Sequence, residues 1–246
     1  MSLKLLSCAK MFNGHQEQYR CFSETCRTDM TFGIYLPPQV LKGYPAPVLY
    51  FLSGLNSDGS ELIRQTGIQR FAAQWNIIVV FPDTSPRGSH ISRELPDWVE
   101  RHFPATQERS IAGFSMGGHG ALSIALKNPG RYAAVSAFAP LCHPTASRGG
   151  KQAFAAYLGA ESEAWQAYDS TSLVQTASRK LPILIDQGGA DPLFPDELQP
   201  EAFVNAARAN GFNVQYKIRP GYGHDYFFIA SFIDSHIEFH AEALGL

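Results

Sequence analysis

Among the residues able to do covalent chemistry, one serine stands in a setting built for it. Residues 111–122 read IAGFSMGGHGAL. The apolar pair Ile111-Ala112 runs into Gly113-Phe114-Ser115-Met116-Gly117, and the helix-forming run Ala121-Leu122-Ser123-Ile124-Ala125-Leu126 follows. This is G-x-S-x-G between a strand signal and a helix signal. A serine hydroxyl used as a nucleophile must stand clear of the backbone on a sharp strand-to-helix turn. Such a turn strains the serine, and only small neighbours let strand and helix close up around it. Gly113, Gly117 and Gly118 meet that need. The helix N-terminus behind Ser115 also presents N–H groups where an oxyanion would develop.

A serine hydroxyl needs a base, and the base needs an orienting carboxylate. After an elbow of this kind the expected chain order is serine, acid, histidine, each at the C-terminal end of a strand. Of the eight histidines, His15, His90, His102 and His119 come too early or sit in the elbow. His143 precedes any strand-end acid. His236 and His240 are one helical turn apart, but HIEFH lacks the glutamate that must directly follow the first histidine of H-E-x-x-H. Both are expected to be structural or at the surface. His224 remains, in the loop Pro220-Gly221-Tyr222-Gly223-His224. Three aspartates compete as the acid. Asp186 ends an apolar strand and is expected to face backbone groups. Asp196 reads as a helix N-terminal residue with a capping role. Asp191, on the loop past Gly188-Gly189, matches the required position best. The oxyanion needs two N–H donors. Met116 supplies one, and the loop Ser53-Gly54-Leu55 the other, with Leu55 preferred and Gly54 as the alternative.

The elements that must position these groups alternate. Met30, Phe32, Ile34 and Leu36 share one face at period two, in early strands within residues 1–36. Residues 47–52 and 77–81 are short, nearly all-apolar runs, as buried parallel strands require. Between them, Glu61 to Trp75 reads as one helix, with Leu62, Ile68, Phe71 and Ala72 forming its apolar stripe. A turn-rich loop spans 82–88. A helix over 91–103 precedes the strand 109–114, and the elbow helix runs 117–127. A strand at 132–138 follows. Residues 139–180 form loops and short helices, a cap over the sheet edge. Then come a strand at 182–186, a helix at 196–210, a strand at 213–218 and a closing helix at 225–243. The alternation predicts one α/β domain over 1–246, with a mostly parallel sheet covered by helices on both faces.

Composition limits the partners. The net charge is −2 with no basic run, which argues against nucleic acid and anionic membranes. No apolar run approaches membrane length, and the first twenty residues carry no cleavage-site pattern. The four cysteines form no C-x-x-C pair, so free thiols in a reducing cytoplasm are the expectation.

Several stretches resemble the S-formylglutathione hydrolase family, also called esterase D. They are LYFLSGL at 49–55, FPDTSPRG at 81–88, SMGGHGAL at 115–122, KNPGRYAAVSAFAP at 127–140, KQAFAAYLG at 151–159, LIDQGGAD at 184–191, LQP at 198–200 and GYGHDYFFIASFIDSHIEFH at 221–240. The resemblance implies an α/β-hydrolase fold and a triad of Ser115, Asp191 and His224. It implies the Leu55 and Met116 donors, no metal or other cofactor, and often a homodimer. The implied substrate is a small acyl ester or thioester, in the family's metabolic member S-formylglutathione, cleaved during formaldehyde detoxification. Three departures touch substrate recognition and leave the triad alone. The family's long aromatic segment does not stand between Gly88 and Ser89. Thr145–Gly150 replaces a tryptophan-bearing stretch. Ser57 replaces a cysteine after the Ser-Gly-Leu loop.

Overall fold

The computed structural model describes residues 3–55, 57–83 and 90–246. Nine strands form one sheet: β1 (Lys4–Met11), β2 (Gly14–Ser23), β3 (Thr28–Leu36), β4 (Ala46–Leu52), β5 (Ile78–Pro82), β6 (Ala105–Phe114), β7 (Val135–Phe138), β8 (Ile183–Gly188) and β9 (Val214–Arg219). Their order across the sheet is β1-β2-β3-β5-β4-β6-β7-β8-β9. The β1-β2-β3-β5 pairs are antiparallel, and every pair from β5-β4 to β8-β9 is parallel. The helices are α1 (Ser60–Gln65), α2 (Ile68–Trp75), α3 (Leu95–His102), α4 (Met116–Lys127), α5 (Arg148–Leu158), α6 (Ser170–Thr176), α7 (Pro200–Ala209) and α8 (Tyr226–Ala243).

The period-two alternation of the strands divides the core between the sheet's two faces. Phe32, Ile34, Val48, Tyr50, Val80 and Ile111 pack on one side with residues of α3, α4, α6 and α7. Tyr35, Leu49, Phe51, Val79, Phe81 and Phe114 pack on the other with α1, α2 and α8. Because β4 and β5 are buried on both faces, their sequences read as unbroken apolar runs. At the other extreme, β1 is exposed along almost its whole length.

Three expectations about elements need correction. The helix expected over 61–75 is two helices. Gly67, at φ 65°, turns the chain between α1 and α2, a left-handed position that glycine occupies without strain. The helix expected from Asp196 begins at Pro200, with Gln199 as its cap and proline in the first turn, where its missing N–H costs nothing. Asp196 therefore lies in the turns before α7 and is not its cap. The segment 91–103 opens with a π-helical turn, His90–Glu94, before α3. Of the loop expected over 82–88, residues 84–88 lie outside the described residues.

A buried polar strip lies where α8 covers β7 and β8. Ser136 Oγ is 2.8 Å from His240 Nε2 and 2.9 Å from His236 Nδ1. His236 stacks on the Phe138 ring at 3.7 Å between centroids. So His236 and His240 are core groups. Burial lowers the pKa of both, that of His240 to about 3. This sets a pH dependence of stability. Between the ordinary histidine value of 6.5 and about 3, the unfolded chain protonates His240 while the folded chain does not. Stability is therefore full above pH 6.5 and is lost as pH falls through that window. We expect His240→Gln to flatten the decline of unfolding free energy below pH 6.5 by about 1.4 kcal/mol per pH unit. Urea titrations at several pH values measure it. An unchanged slope would mean that His240 titrates alike in both states.

Candidate active site

The last residue of β6 hands the chain to Ser115, which stands at φ 56° and ψ −117° before α4 begins at Met116. Few non-glycine residues occupy positive φ without strain. The neighbouring glycines permit it. A Cβ on Gly113 would run into the Gly117 carbonyl, and one on Gly117 into the carbonyls of Leu52 and Ser53. The elbow is pinned by three backbone bonds. Ser115 N–H donates to Phe138 O at 2.9 Å, while His119 and Leu141 N–H groups donate to Ser115 O at 3.0 and 3.3 Å.

The loop between β9 and α8 delivers His224 to this turn. Its Nε2 lies 2.8 Å from Ser115 Oγ, and its Nδ1 lies 2.6 Å from Asp191 Oδ2. The ring packs against Phe114 at 4.7 Å. Asp191 comes from the loop after β8 and is buried. Its Oδ2 also accepts from Gln187 Nε2 at 3.1 Å, and its Oδ1 accepts from the Leu193 N–H at 2.8 Å. Burial alone would push this carboxyl up. The donors, with His224 foremost, outweigh burial and hold it below the usual carboxylate range. An ionised carboxylate only accepts, so the proton between it and His224 resides on Nδ1. The Nε2 lone pair then faces the serine hydroxyl. This arrangement can withdraw a proton from Ser115 as its oxygen attacks a carbonyl carbon.

The loop after β4 passes beside Ser115. A Cβ on Gly54 would lie 3.3 Å from the Phe114 ring and 3.8 Å from Ser115 Cβ. Leu55 follows, 60% exposed, and Asn56 lies outside the described residues. Ser57 N–H donates to Gly54 O at 3.3 Å, and Ser53 Oγ to Ser57 O at 2.8 Å, so the turn is tight. Leu55, Ser57, Ser115 and Met116 line a cleft of about 1210 Å³. Its far wall is Phe154, Tyr157 and Leu158 of α5, with Tyr168 beyond. Trp165 supports Phe154 edge-on at 5.6 Å.

The remaining candidates are elsewhere. Asp186 does not face backbone groups. Its Oδ2 accepts from Arg219 Nε and Nη2, each at 2.7 Å. Asp196 is exposed, ahead of α7. His143 pairs with Asp169 at 2.9 Å, and His102 Nδ1 lies 2.9 Å from Trp98 O. His119, set aside because it sits in the elbow, lines the cleft and contacts Phe154 at 6.2 Å between ring centroids. The α5 wall is the part that motif reading missed. The available signal was the spacing of Phe154, Tyr157 and Leu158 at i, i+3 and i+4, which puts all three on one helix face.

Comparison with known proteins identifies the family and the fold. The model of the Esterase family, described as "Putative esterase", matches residues 23–93 and 89–239. An S-formylglutathione hydrolase from Agrobacterium tumefaciens superposes with a TM-score of 0.94 at 35% identity, covering 98% of this chain and 99% of that one. FphF, a fluorophosphonate-binding serine hydrolase from Staphylococcus aureus, gives 0.81 at 22% identity over 93% of this chain and 98% of its own. The ferulic acid esterase AmCE1/Fae1A from Anaeromyces mucronatus gives 0.73 at 19% identity, over 94% of this chain and 92% of its own. The last two likenesses concern the fold alone. The chain belongs to the esterase family that includes the S-formylglutathione hydrolases, and it is a serine hydrolase of the α/β-hydrolase fold.

Proposed function

We propose that Ser115, His224 and Asp191 are the catalytic triad of a carboxylesterase acting on short acyl esters and thioesters. The observation that carries this reading is the unbroken chain of contacts from Asp191 through His224 to Ser115 Oγ at the floor of the cleft. Ser115 Oγ attacks the acyl carbon as its proton passes to His224 Nε2. The carbonyl oxygen becomes an oxyanion, held by the backbone N–H groups of Met116 and Leu55. Collapse breaks the ester or thioester bond, and the imidazolium returns its proton to the departing alcohol or thiol. Water then attacks the acyl-serine with His224 again as base, which releases the acid and restores Ser115. Asp191 holds the imidazole tautomer throughout.

Two substrate readings divide on the leaving group. The family relationship supports S-formylglutathione, and with it a part in formaldehyde detoxification. The cleft's charge favours a short-chain carboxylesterase without glutathione preference. Asp58 and Glu197 line the cleft, and no lysine or arginine does among the described residues. Glutathione brings two carboxylates, which such a wall repels. We favour the second reading. The setting we propose is a cytoplasmic homodimer acting on small molecules, with no membrane or nucleic-acid partner. No helix among the described residues is long and apolar enough to cross a membrane, and Cys8, Cys21 and Cys142 are free thiols, as a reducing compartment keeps them.

Side by side on one preparation, a short p-nitrophenyl ester should give the higher kcat/KM. A higher value for S-formylglutathione, at low and at moderate salt, would establish the thioesterase reading. Chelators should leave both activities intact.

Ser115→Ala and His224→Ala should each lower kcat by roughly 10⁵ to 10⁶, and Ser115→Ala should abolish labelling by an organophosphate. Asp191→Asn should cost about 10⁴, because it leaves the wrong tautomer. A crippling Asp186→Asn or Asp196→Asn beside an active Asp191→Asn would reassign the acid.

Cysteine alkylation should spare activity. Cys142, just beyond β7, is fully buried and does not line the cleft; burial pushes its thiol well above the ordinary value. Short-ester hydrolysis should survive N-ethylmaleimide at neutral pH. Rapid inactivation that Cys142→Ser prevents would place that thiol in the cleft wall.

A further inference from the structure

The outer edge of the sheet carries a cluster that hydrolysis does not use. In the β1–β2 pair Cys8 stands opposite Glu17, and Lys10 opposite His15. Side chains two residues apart in a strand, and those directly opposite in a pair, project from one face. Cys8, His15 and Glu17 therefore converge. The Cys8 thiol donates to Glu17 Oε1 at 3.6 Å, and His15 Nδ1 lies 3.4 Å from the same oxygen. The sulfur, the ring nitrogen and the carboxylate oxygen all lie within 4.8 Å of one another.

Those spacings are close to the ligand spacings of a tetrahedral zinc ion. Bonds of about 2.3 Å to sulfur, about 2.05 Å to imidazole nitrogen and about 2.0 Å to carboxylate oxygen fix the edges of the tetrahedron. Sulfur and oxygen then stand roughly 3.5 Å apart, and nitrogen and oxygen roughly 3.3 Å. The carboxylate is also held from behind. The Tyr19 hydroxyl donates to Glu17 Oε2 at 2.7 Å, so Oε1 stays turned towards the thiol and the imidazole. Outer partners of this kind orient metal ligands. Tyr19 is itself fixed by the rings of Phe32 at 5.8 Å and Phe103 at 5.4 Å. Lys10, on the same face, is exposed and has solvent into which its ammonium can turn.

We propose that Cys8, His15 and Glu17 form a zinc site, completed by water, that clips the β1–β2 hairpin at the sheet edge. The proton now shared between the Cys8 thiol and Glu17 passes to solvent when the ion takes its place. A thiolate and an imidazole select zinc-like ions over magnesium or calcium. The clip has a physical use. Strand β1 is exposed on both faces, and an edge strand paired on one side only has little else to hold it. The site is not catalytic, since β1 lies five strands from β6, roughly 24 Å at the usual strand spacing.

The test uses chelator-stripped whole protein titrated with zinc, with three readouts. Zinc should bind at one ion per chain in competition with a chromophoric chelator, and the melting temperature should rise as it does so. Cobalt(II) should give thiolate-to-metal absorption. Cys8 is the exposed thiol of the four, so native maleimide labelling reports on it, and zinc should slow that labelling at least tenfold. Cys8→Ser and His15→Ala should each weaken binding at least tenfold. His15→Ala keeps the thiol, so loss of protection there reports the site and not the cysteine alone. Circular dichroism checks that the variants are folded. Labelling of Cys8 unchanged by 100 µM zinc, at about that concentration far above a tight site's Kd, would overturn the proposal. So would zinc binding of equal strength in the parent and in both variants.

Discussion

The structure depends on a turn that the backbone resists. Ser115 at φ 56° and ψ −117° occupies a region that costs an L-residue on the order of 1–3 kcal/mol. Such a conformation persists only where its surroundings leave no alternative. Here β6 lies between β4 and β7, both parallel to it and both buried along their lengths. The Ser115 N–H is taken by Phe138 of β7, and the Gly117 backbone is pressed onto Leu52 and Ser53 at the end of β4. Relaxing the serine would pull apart three strand ends at once. The same closeness brings the β4 loop beside Ser115, and so joins the proposed nucleophile to the proposed oxyanion site.

The site was legible where its signal is local. G-x-S-x-G is contiguous, and its glycines are dictated by clashes within a few residues. His224 and Asp191 were reached by position after a strand, which reports where a loop lies. Partners are another matter. Asp186 meets Arg219 across thirty-three residues, and Ser136 gathers two histidines about a hundred residues away. Periodicity tells which face a side chain takes and says nothing of what waits there. The helix expected over 61–75 was misjudged for a related reason. Its apolar stripe continues through Gly67 because α1 and α2 pack on the same face of the sheet, so the stripe survives a break in the helix.

Catalysis and selectivity reside in different parts of the chain. The proposed triad stands on the ends of β6, β8 and β9, in the parallel half of the sheet, where β6 and β8 are paired on both sides and β9 forms the edge. The cleft wall comes from α5 and the turns after it, in the segment read from sequence only as a cap. The two stretches matched by the family model meet at residues 89–93, where the family's aromatic segment is expected and Gly88 is followed by Ser89. Phe154, Tyr157 and Tyr168 give this cleft an aromatic wall from the cap instead. A change of wall on an unchanged floor alters which leaving group is tolerated and leaves the attack on the acyl carbon as it was.

Two buried aspartates from the β8 region show why one suits catalysis. Asp186 is clamped by a single arginine through one oxygen, and its Oδ1 has no hydrogen-bond partner among the described residues. Burial outweighs Arg219, so its carboxyl is pulled up. Its place within the strand keeps it under α8, against His236 and away from the cleft. Asp191 lies three residues past the strand, where the chain turns back on itself. That turn aims the Leu193 N–H at one oxygen, while Gln187 and His224 converge on the other. Three donors keep the carboxylate charged in spite of burial, and two of them fix its plane. A base partner must be ionised before the imidazole acquires charge, and it must not swing when that happens. The loop position meets both requirements and reaches His224, whereas the strand position keeps its carboxyl under α8 with one oxygen unpartnered among the described residues.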